Sequence, residues 1–222
     1  MDIALTSKVV FMQRIADLVR TGHTQYVCGK VPILKANALA KKFDLAYKTN
    51  ITKLEQSRKR KRGEASARTL FWMPGKDAEE IMWVLLVSPG QLPAEGEKEK
   101  WQDALDRKSR VKVEGYELVR ITKPEEPKPV YSWRYEREVL QAWRDSVVHA
   151  IRIKRDDELR KHIHNLWRSP GFAGVRMQVK DIANLIKSEF KRSRPNDLMP
   201  ELPARLGYVR RLASKGISLN EV

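Results

Sequence analysis

Two short polar runs in the second half of the chain carry residues of catalytic type, Asp156-Asp157-Glu158 and His162-Ile163-His164. Neighbouring carboxylates suit a divalent metal of the kind that cleaves phosphodiesters. Two histidines separated by one hydrophobe can grip one ion when alternate side chains of a strand point the same way. The surrounding spacing argues against that use. Leu159, Ile163, Leu166 and Trp167 recur at the helical period, and on a helix residues two apart diverge by about 200°. The histidines are therefore expected on different sides of one helix, with the three acids in its first turn, where they offset the helix dipole. Cys28 is the single cysteine, which removes an intramolecular disulfide and a cysteine-rich zinc site. The sequence has no Gly-rich phosphate loop, nucleophile elbow or Cys/His pair at metal spacing. The expectation is a binding protein rather than an enzyme, with no cofactor and no metal.

Cations are the residues in excess. Lys and Arg number 44 against 28 Asp and Glu, a formal charge of +16. They are unevenly placed: residues 1–76 hold sixteen against five, 77–127 eight against twelve, and 128–222 twenty against eleven. Two basic blocks around an acidic one predict positive surfaces for a polyanion, nucleic acid first. Arg58-Lys59-Arg60-Lys61-Arg62 is the densest run. Each cation that displaces condensed counterions from a phosphate adds affinity without reading sequence. Followed by Gly63-Glu64-Ala65-Ser66, the run reads as a charged, flexible loop. Trp133 and Tyr135 flank Arg134 on an expected strand and, with Trp72, offer rings on which unpaired bases stack. Trp83 lies in the most apolar run and reads as core.

A length of 222 residues, 41% apolar with six Trp, allows one large domain or two small ones around a real core. Met1 to Val10 includes Asp2 and no long apolar run, unlike a secretory signal. The run Ile81 to Val87 falls far short of the roughly 20 residues of a membrane span. With one cysteine, the expected location is cytoplasmic and no membrane is involved.

The elements that must position these residues follow from period. Helices are expected over Lys8 to Arg20, with Ser7 as N-cap and Gly22 as stop, then over Leu34 to Phe43 and Tyr47 to Ser57. Leu70 to Met73, Ile81 to Val87, Tyr116 to Ile121 and Val130 to Tyr135 have strand length. The proline-rich stretch 123–129 predicts an exposed loop rather than a tight hairpin, and 97–105 reads as helix. Helical stripes return at Leu140, Trp143, Val147 and Ile151, at Leu159 to Trp167, and at Val175, Val179, Ile182, Ile186 and Phe190. Leu206, Val209 and Leu212 mark a short last helix. The fold class is α+β: a basic helical region over 1–66, a small, mainly antiparallel central sheet over 67–135, and a basic helical region over 136–222.

The stretch Leu39-Ala40-Lys41-Lys42-Phe43-Asp44-Leu45, continuing to Asn50-Ile51-Thr52-Lys53-Leu54, resembles the helix-turn-helix family of DNA-binding modules, across residues 34–57. Asp44 stands where glycine is usual, and Ile51 falls one residue late. The resemblance gives Leu39, Ala40, Phe43, Leu45, Ile51 and Leu54 packing roles. It turns Lys48, Thr49, Asn50, Lys53 and Gln56 toward base edges or phosphates. His162-Ile163-His164 is similar in letters to the metal signature of relaxases and rolling-circle initiators, which carry it on a strand. Gly115 to Arg120, Ser132-Trp133-Arg134 and Pro170 to Gln178 resemble accessory proteins of bacterial conjugative elements. Together these readings imply a nucleic-acid-binding protein, DNA favoured over RNA, in regulation or in assembly of a transfer or replication complex of a mobile element, with room for a protein partner. Its interface would hold Lys48, Thr49, Asn50, Lys53, Gln56, Arg58, Lys59, Arg60, Lys61, Arg62 and Arg134. The rivals are an RNA-binding protein using the sheet aromatics and the basic run, and an enzyme of relaxase or nuclease type.

Overall fold

The computed structural model describes residues 3–75, 77–94, 99–123 and 126–221. The chain is α+β and forms two units. One comprises the residues up to Val111 together with those from Arg211 on, and the other Lys112–Arg210.

The first unit contains β1 (Ile3–Leu5), α1 (Lys8–Arg20), β2 (Gln25–Pro32), α2 (Ile33–Tyr47), α3 (Lys53–Lys61), β3 (Ala67–Trp72), β4 (Glu80–Val87), β5 (Gln102–Asp103) and, far along the chain, β9 (Gly216–Ser218). Its six strands lie in the order β5-β2-β4-β3-β1-β9, with β1 and β3 parallel and the other pairs antiparallel. The run in β4 is apolar on both faces because helices cover both faces. Phe43 and Tyr47 of α2 pack with Leu85 and Val87, and Ala36 and Ala40 with Phe71 and Ile81. Phe71 and Trp72 are successive strand residues, so Trp72 points the other way, where Phe11 of α1 stacks on it at 5.8 Å. The Ser7 hydroxyl accepts from Val10 N–H to start α1. In β2, Gly29 lets the Trp83 ring approach: a Cβ there would lie 3.0 Å from the indole.

The second unit contains β6 (Lys112–Val113), β7 (Tyr116–Lys123), β8 (Glu126–Tyr135), α4 (Arg137–Arg152), α5 (Asp156–Trp167) and α6 (Ala173–Ser193). Its antiparallel sheet has the order β6-β7-β8. α6 lies against β8: Gly174 N–H donates to Ser132 Oγ at 3.2 Å, and the Gln178 amide bonds both Tyr135 N–H and Tyr135 C=O.

Several expectations need correction. The strands read as one central region belong to two sheets, because β3 and β4 pair with β1 and β2 while β7 pairs with β6 and β8. The boundaries at 66/67 and 135/136 therefore fall inside units. Helix 34–43 extends through Tyr47, and the helix expected from Tyr47 begins only at Lys53. Lys48 takes a left-handed conformation (φ 56°) that ends α2, and a Thr52–Glu55 capping box starts α3. The cationic run forms the last turns of α3 rather than a loop. Lys and Arg are good helix formers and complement the C-terminal dipole, and Gly63, at φ +77°, then stops the helix.

In the segment expected to be helical over 97–105, residues 97 and 98 lie outside the described residues, and Gln102–Asp103 is a strand paired with β2. In the proline-rich connector, Pro124 and Glu125 lie outside them too. The pairing of β7 with β8 runs as far as Lys123 and Glu126, so most of the connector expected as a loop belongs to the strands. β8 tolerates its prolines because it is an edge strand. The last expected helix is absent: residues 204–215 hold no helix, Leu206 is buried while Leu212 is exposed, and β9 follows. Of the opening stretch Met1 to Val10, Met1 and Asp2 also lie outside the described residues.

Candidate nucleic-acid interface

In the first unit, the end of α1, one side of α3 and the start of β3 border a groove of about 540 Å³. α3 supplies Lys53, Gln56, Ser57 and Arg60, which share a face at i, i+3, i+4 and i+7. α1 supplies Asp17 and Arg20, β3 supplies Arg68, and the returning chain supplies Arg211. Five cations thus stand around one carboxylate. Asp17 draws three arginines together, with Arg211 at 2.5 Å, Arg14 at 3.4 Å and Arg20 at 3.7 Å. Sharing leaves that cluster positive and pre-arranged for an anion.

α3 buries no residue, so its position depends on polar bonds. Arg68 is the main fastener: Nη1 donates to Thr49 O at 2.7 Å and Nη2 to Ile51 O at 2.6 Å. With the Gln56 amide oriented oxygen-inward, Arg68 Nε donates to it at 2.5 Å. Half-burial pulls the Arg68 pKa down. Arg60 adds a second tie, reaching Ser66 Oγ at 3.4 Å and His23 Nδ1 at 3.5 Å.

His23 sits under the groove, 1% exposed, with Nε2 3.2 Å from Ser66 Oγ. Burial first, and then the nearby Arg60 charge, lower its pKa to about 4. It is neutral at pH 7, and a hydrogen bond to the Leu18 backbone only partly offsets the lowering.

Of the residues expected at the interface, Lys53, Gln56 and Arg60 come together in the groove. Arg58, Lys59, Lys61 and Arg62 lie on the other sides of α3; Arg62 is held by Glu64 at 2.6 Å. Lys48, Thr49 and Asn50 are not on a recognition helix: they form the link between α2 and α3. Thr49 is buried, and Asn50 donates its backbone N–H to Asp44 Oδ1 at 2.9 Å. Asn50 lines a separate hollow with Arg14 and Ser214. The packing roles of Leu45 and Leu54 do not hold, since they are 77% and 60% exposed. The helix pair therefore lacks the apolar seam that the resemblance implied.

Arg134 belongs to the second unit and bonds Glu117 across β7 and β8 at 2.7 Å. Trp133 and Tyr135 are buried, as is Trp72, and Trp83 packs on Phe43 at 5.1 Å. The stacking roles read for the sheet aromatics are thus unavailable, because helices cover both faces of the larger sheet and α6 covers β8.

α5 carries both histidines as expected. His162 stands edge-on to Trp143, and His164 Nε2 lies 3.4 Å from Arg168. The acids at its start stay in contact with solvent and are also ion-paired: Asp156 with the buried Arg194, Asp157 with Arg160 and Glu158 with Arg155. These guanidinium hydrogen bonds lower the pKa of Asp156 and of Glu158. Among the described residues, no three His, Cys, Asp or Glu side chains converge where a metal could sit, and no helix is long and apolar enough to cross a membrane.

Sequence reasoning missed Arg20, His23, Arg68 and Arg211. They come from separate segments with no shared spacing, and only the fold brings them to α3. Compared with protein-family models, curated proteins and solved structures, the chain matches none.

Proposed function

We propose that the first unit binds nucleic acid, duplex DNA before RNA, by laying α3 and its groove against the phosphate backbone. The observation that carries this reading is the state of α3. It has no buried side chain, and it directs Lys53 and Arg60 into a groove that holds one carboxylate for five cations. Among the described residues, Lys53, Arg58, Lys59 and Lys61 form no ion pair; Lys53 and Lys61 are exposed and open to phosphates, while Arg58 and Lys59 stand near Glu55 and Glu64. Burial of the sheet rings supports a duplex over an unpaired strand, which needs aromatic platforms. Gln56 keeps an amide N–H₂ for a base edge while its oxygen serves Arg68. The wider setting, regulation or assembly of a transfer or replication complex, rests on the sequence resemblance to conjugative accessory proteins.

Gel-shift competition with the full chain tests the reading. A labelled duplex should be displaced best by duplex DNA, less by structured RNA and least by single strands. The Lys53→Ala/Arg60→Ala variant should bind roughly tenfold more weakly. Equal binding by that variant would remove the groove from the interface, and preference for single strands would overturn the duplex reading.

A further inference from the structure

The second unit has a cavity that the proposed interface does not use. About 380 Å³ is enclosed between α6, the end of α5 and the segment 202–206, within the range of roughly 300–1,000 Å³ typical of small-molecule sites. The opposite face of α6 carries Val175, Ile182, Ile186 and Phe190 into the core. The cavity side presents Lys180, Asn184 and Lys187, one turn after another, with Ala183 between them.

Arg176 keeps the far wall in place. Its Nε donates to Leu206 O at 3.1 Å, and its guanidinium lies 3.4 Å above the Tyr208 ring. The segment is also tied down where Val209 N–H donates to Gly171 O at 3.1 Å.

The lining has two characters. Trp167, Val179, Ala183 and Leu206 give it an apolar floor that includes a half-buried indole. Lys180, Lys187 and Arg205 stand exposed at the rim. No carboxylate lines the cavity, and among the described residues none of these three cations forms an ion pair. Such a cavity asks for a ligand with a flat apolar body and a group of more than one negative charge. A sugar phosphate lacks the flat body, and a fatty acid has a single charge and no plane.

We propose that this cavity binds a nucleoside phosphate, with the base on the floor against Trp167 and the phosphate held by Lys180, Lys187 and Arg205. Base–indole stacking and charge-assisted hydrogen bonds to phosphate supply the two halves of recognition. Asn184 offers both a donor and an acceptor to the base or ribose edge. The same chemistry is presented by a free nucleotide and by the phosphorylated end of a strand. The proposal does not depend on the groove of the first unit.

Isothermal titration of the full chain tests it, using the nucleoside 5′-monophosphates, adenosine, inorganic phosphate, and a short oligothymidylate with and without a 5′-phosphate. At least one nucleotide or the phosphorylated strand should bind about tenfold or more tightly than adenosine or phosphate. Lys180→Ala/Lys187→Ala/Arg205→Ala, confined to exposed side chains, should weaken that binding by about tenfold or more. Ala183→Phe should abolish it by filling the floor. Lys53→Ala/Arg60→Ala should leave it intact, so failure of the duplex reading and failure of this one are told apart. Binding of mononucleotides alone assigns a free nucleotide, and binding of the phosphorylated strand alone assigns a strand end. The proposal is overturned if inorganic phosphate binds as tightly as every nucleotide, if the triple variant binds as wild type, or if none of the phosphorylated nucleosides or strands binds below about 1 mM.

Discussion

His23 shows how much one residue can hold in this chain. Its ring joins the end of α1, through Thr21, to Arg60 of α3 and to Ser66 before β3, and Ser66 N–H continues to Ser88 Oγ at 2.9 Å. Protonating the ring would bury a charge away from water and set it beside Arg60. This is why its pKa falls from the ordinary 6.5 to about 4. The sign of the stability effect follows. Between pH 6.5 and 4 the unfolded chain takes up a proton that the folded chain refuses, so stability falls as pH drops through that window and levels off below it. Between pH 7 and 5 the loss from this residue should be about 2 kcal/mol. Urea unfolding of wild type and His23→Gln at both pH values checks it. The variant should be less stable at pH 7 yet lose about 2 kcal/mol less on acidification, and parallel pH profiles would show that His23 is not the titrating group.

At the scale of the element, α3 is a helix without a hydrophobic face, and Arg68 takes the place of one. Three bonds from one guanidinium fix the link at Thr49 and Ile51 and the side chain of Gln56. Arg68→Ala should therefore loosen α3 while the sheet stays folded. Hydrogen exchange should show lost protection over 53–61 and unchanged protection over 81–87, with duplex affinity lowered about tenfold. Equal loss of protection in both segments would make Arg68 a support of the core instead. The dependence on one distant arginine also explains what could be read in advance. α1, α4, α5 and α6 bury stripes such as Val175, Val179, Ile182 and Ile186, and β4 is apolar on both faces, so their patterns are their packing. β2 hides behind Gly29 and Lys30, and β1 and β9 have three residues each, too few for a period. The start of α3 was set by a left-handed Lys48 and a capping box, which no hydrophobic pattern announces. The groove was legible only where α3 supplied it, since Arg20, Arg68 and Arg211 meet by pairing of strands far apart in sequence.

For the whole molecule, the fold redistributes the charge that the sequence shows in blocks. Residues up to 111 with 211–222 hold 23 Lys/Arg against 14 Asp/Glu, and 112–210 hold 21 against 14. The acidic middle block is divided between the units, and each unit is basic in its own right. Net charge alone would let either unit attract a polyanion, so what separates them is how the cations are engaged. In the second unit many arginines are tied to acids: Arg152 and Arg192 to Glu189, Arg194 to Asp156 and Asp197, and Arg134 to Glu117. The Glu189 carboxyl is held at about 2 by hydrogen bonds from Arg192 and Arg152, which keeps those pairs intact across the working pH range. α3 instead leaves Lys53, Arg58, Lys59 and Lys61 outside any ion pair among the described residues, with Glu55 near Arg58 and Glu64 near Lys59. If about five phosphates are neutralised there, log affinity should fall with log salt at a slope of about −4.5. Lys53→Ala and Lys61→Ala should each make the slope shallower by about 1. Arg62→Ala should change it less, because Glu64 already occupies that guanidinium, and Lys180→Ala in the second unit should leave it unchanged. Duplex titrations over a range of salt concentrations measure all four variants on one axis. A slope that answers to Lys180 and not to Lys53 would move the duplex-binding surface to the second unit.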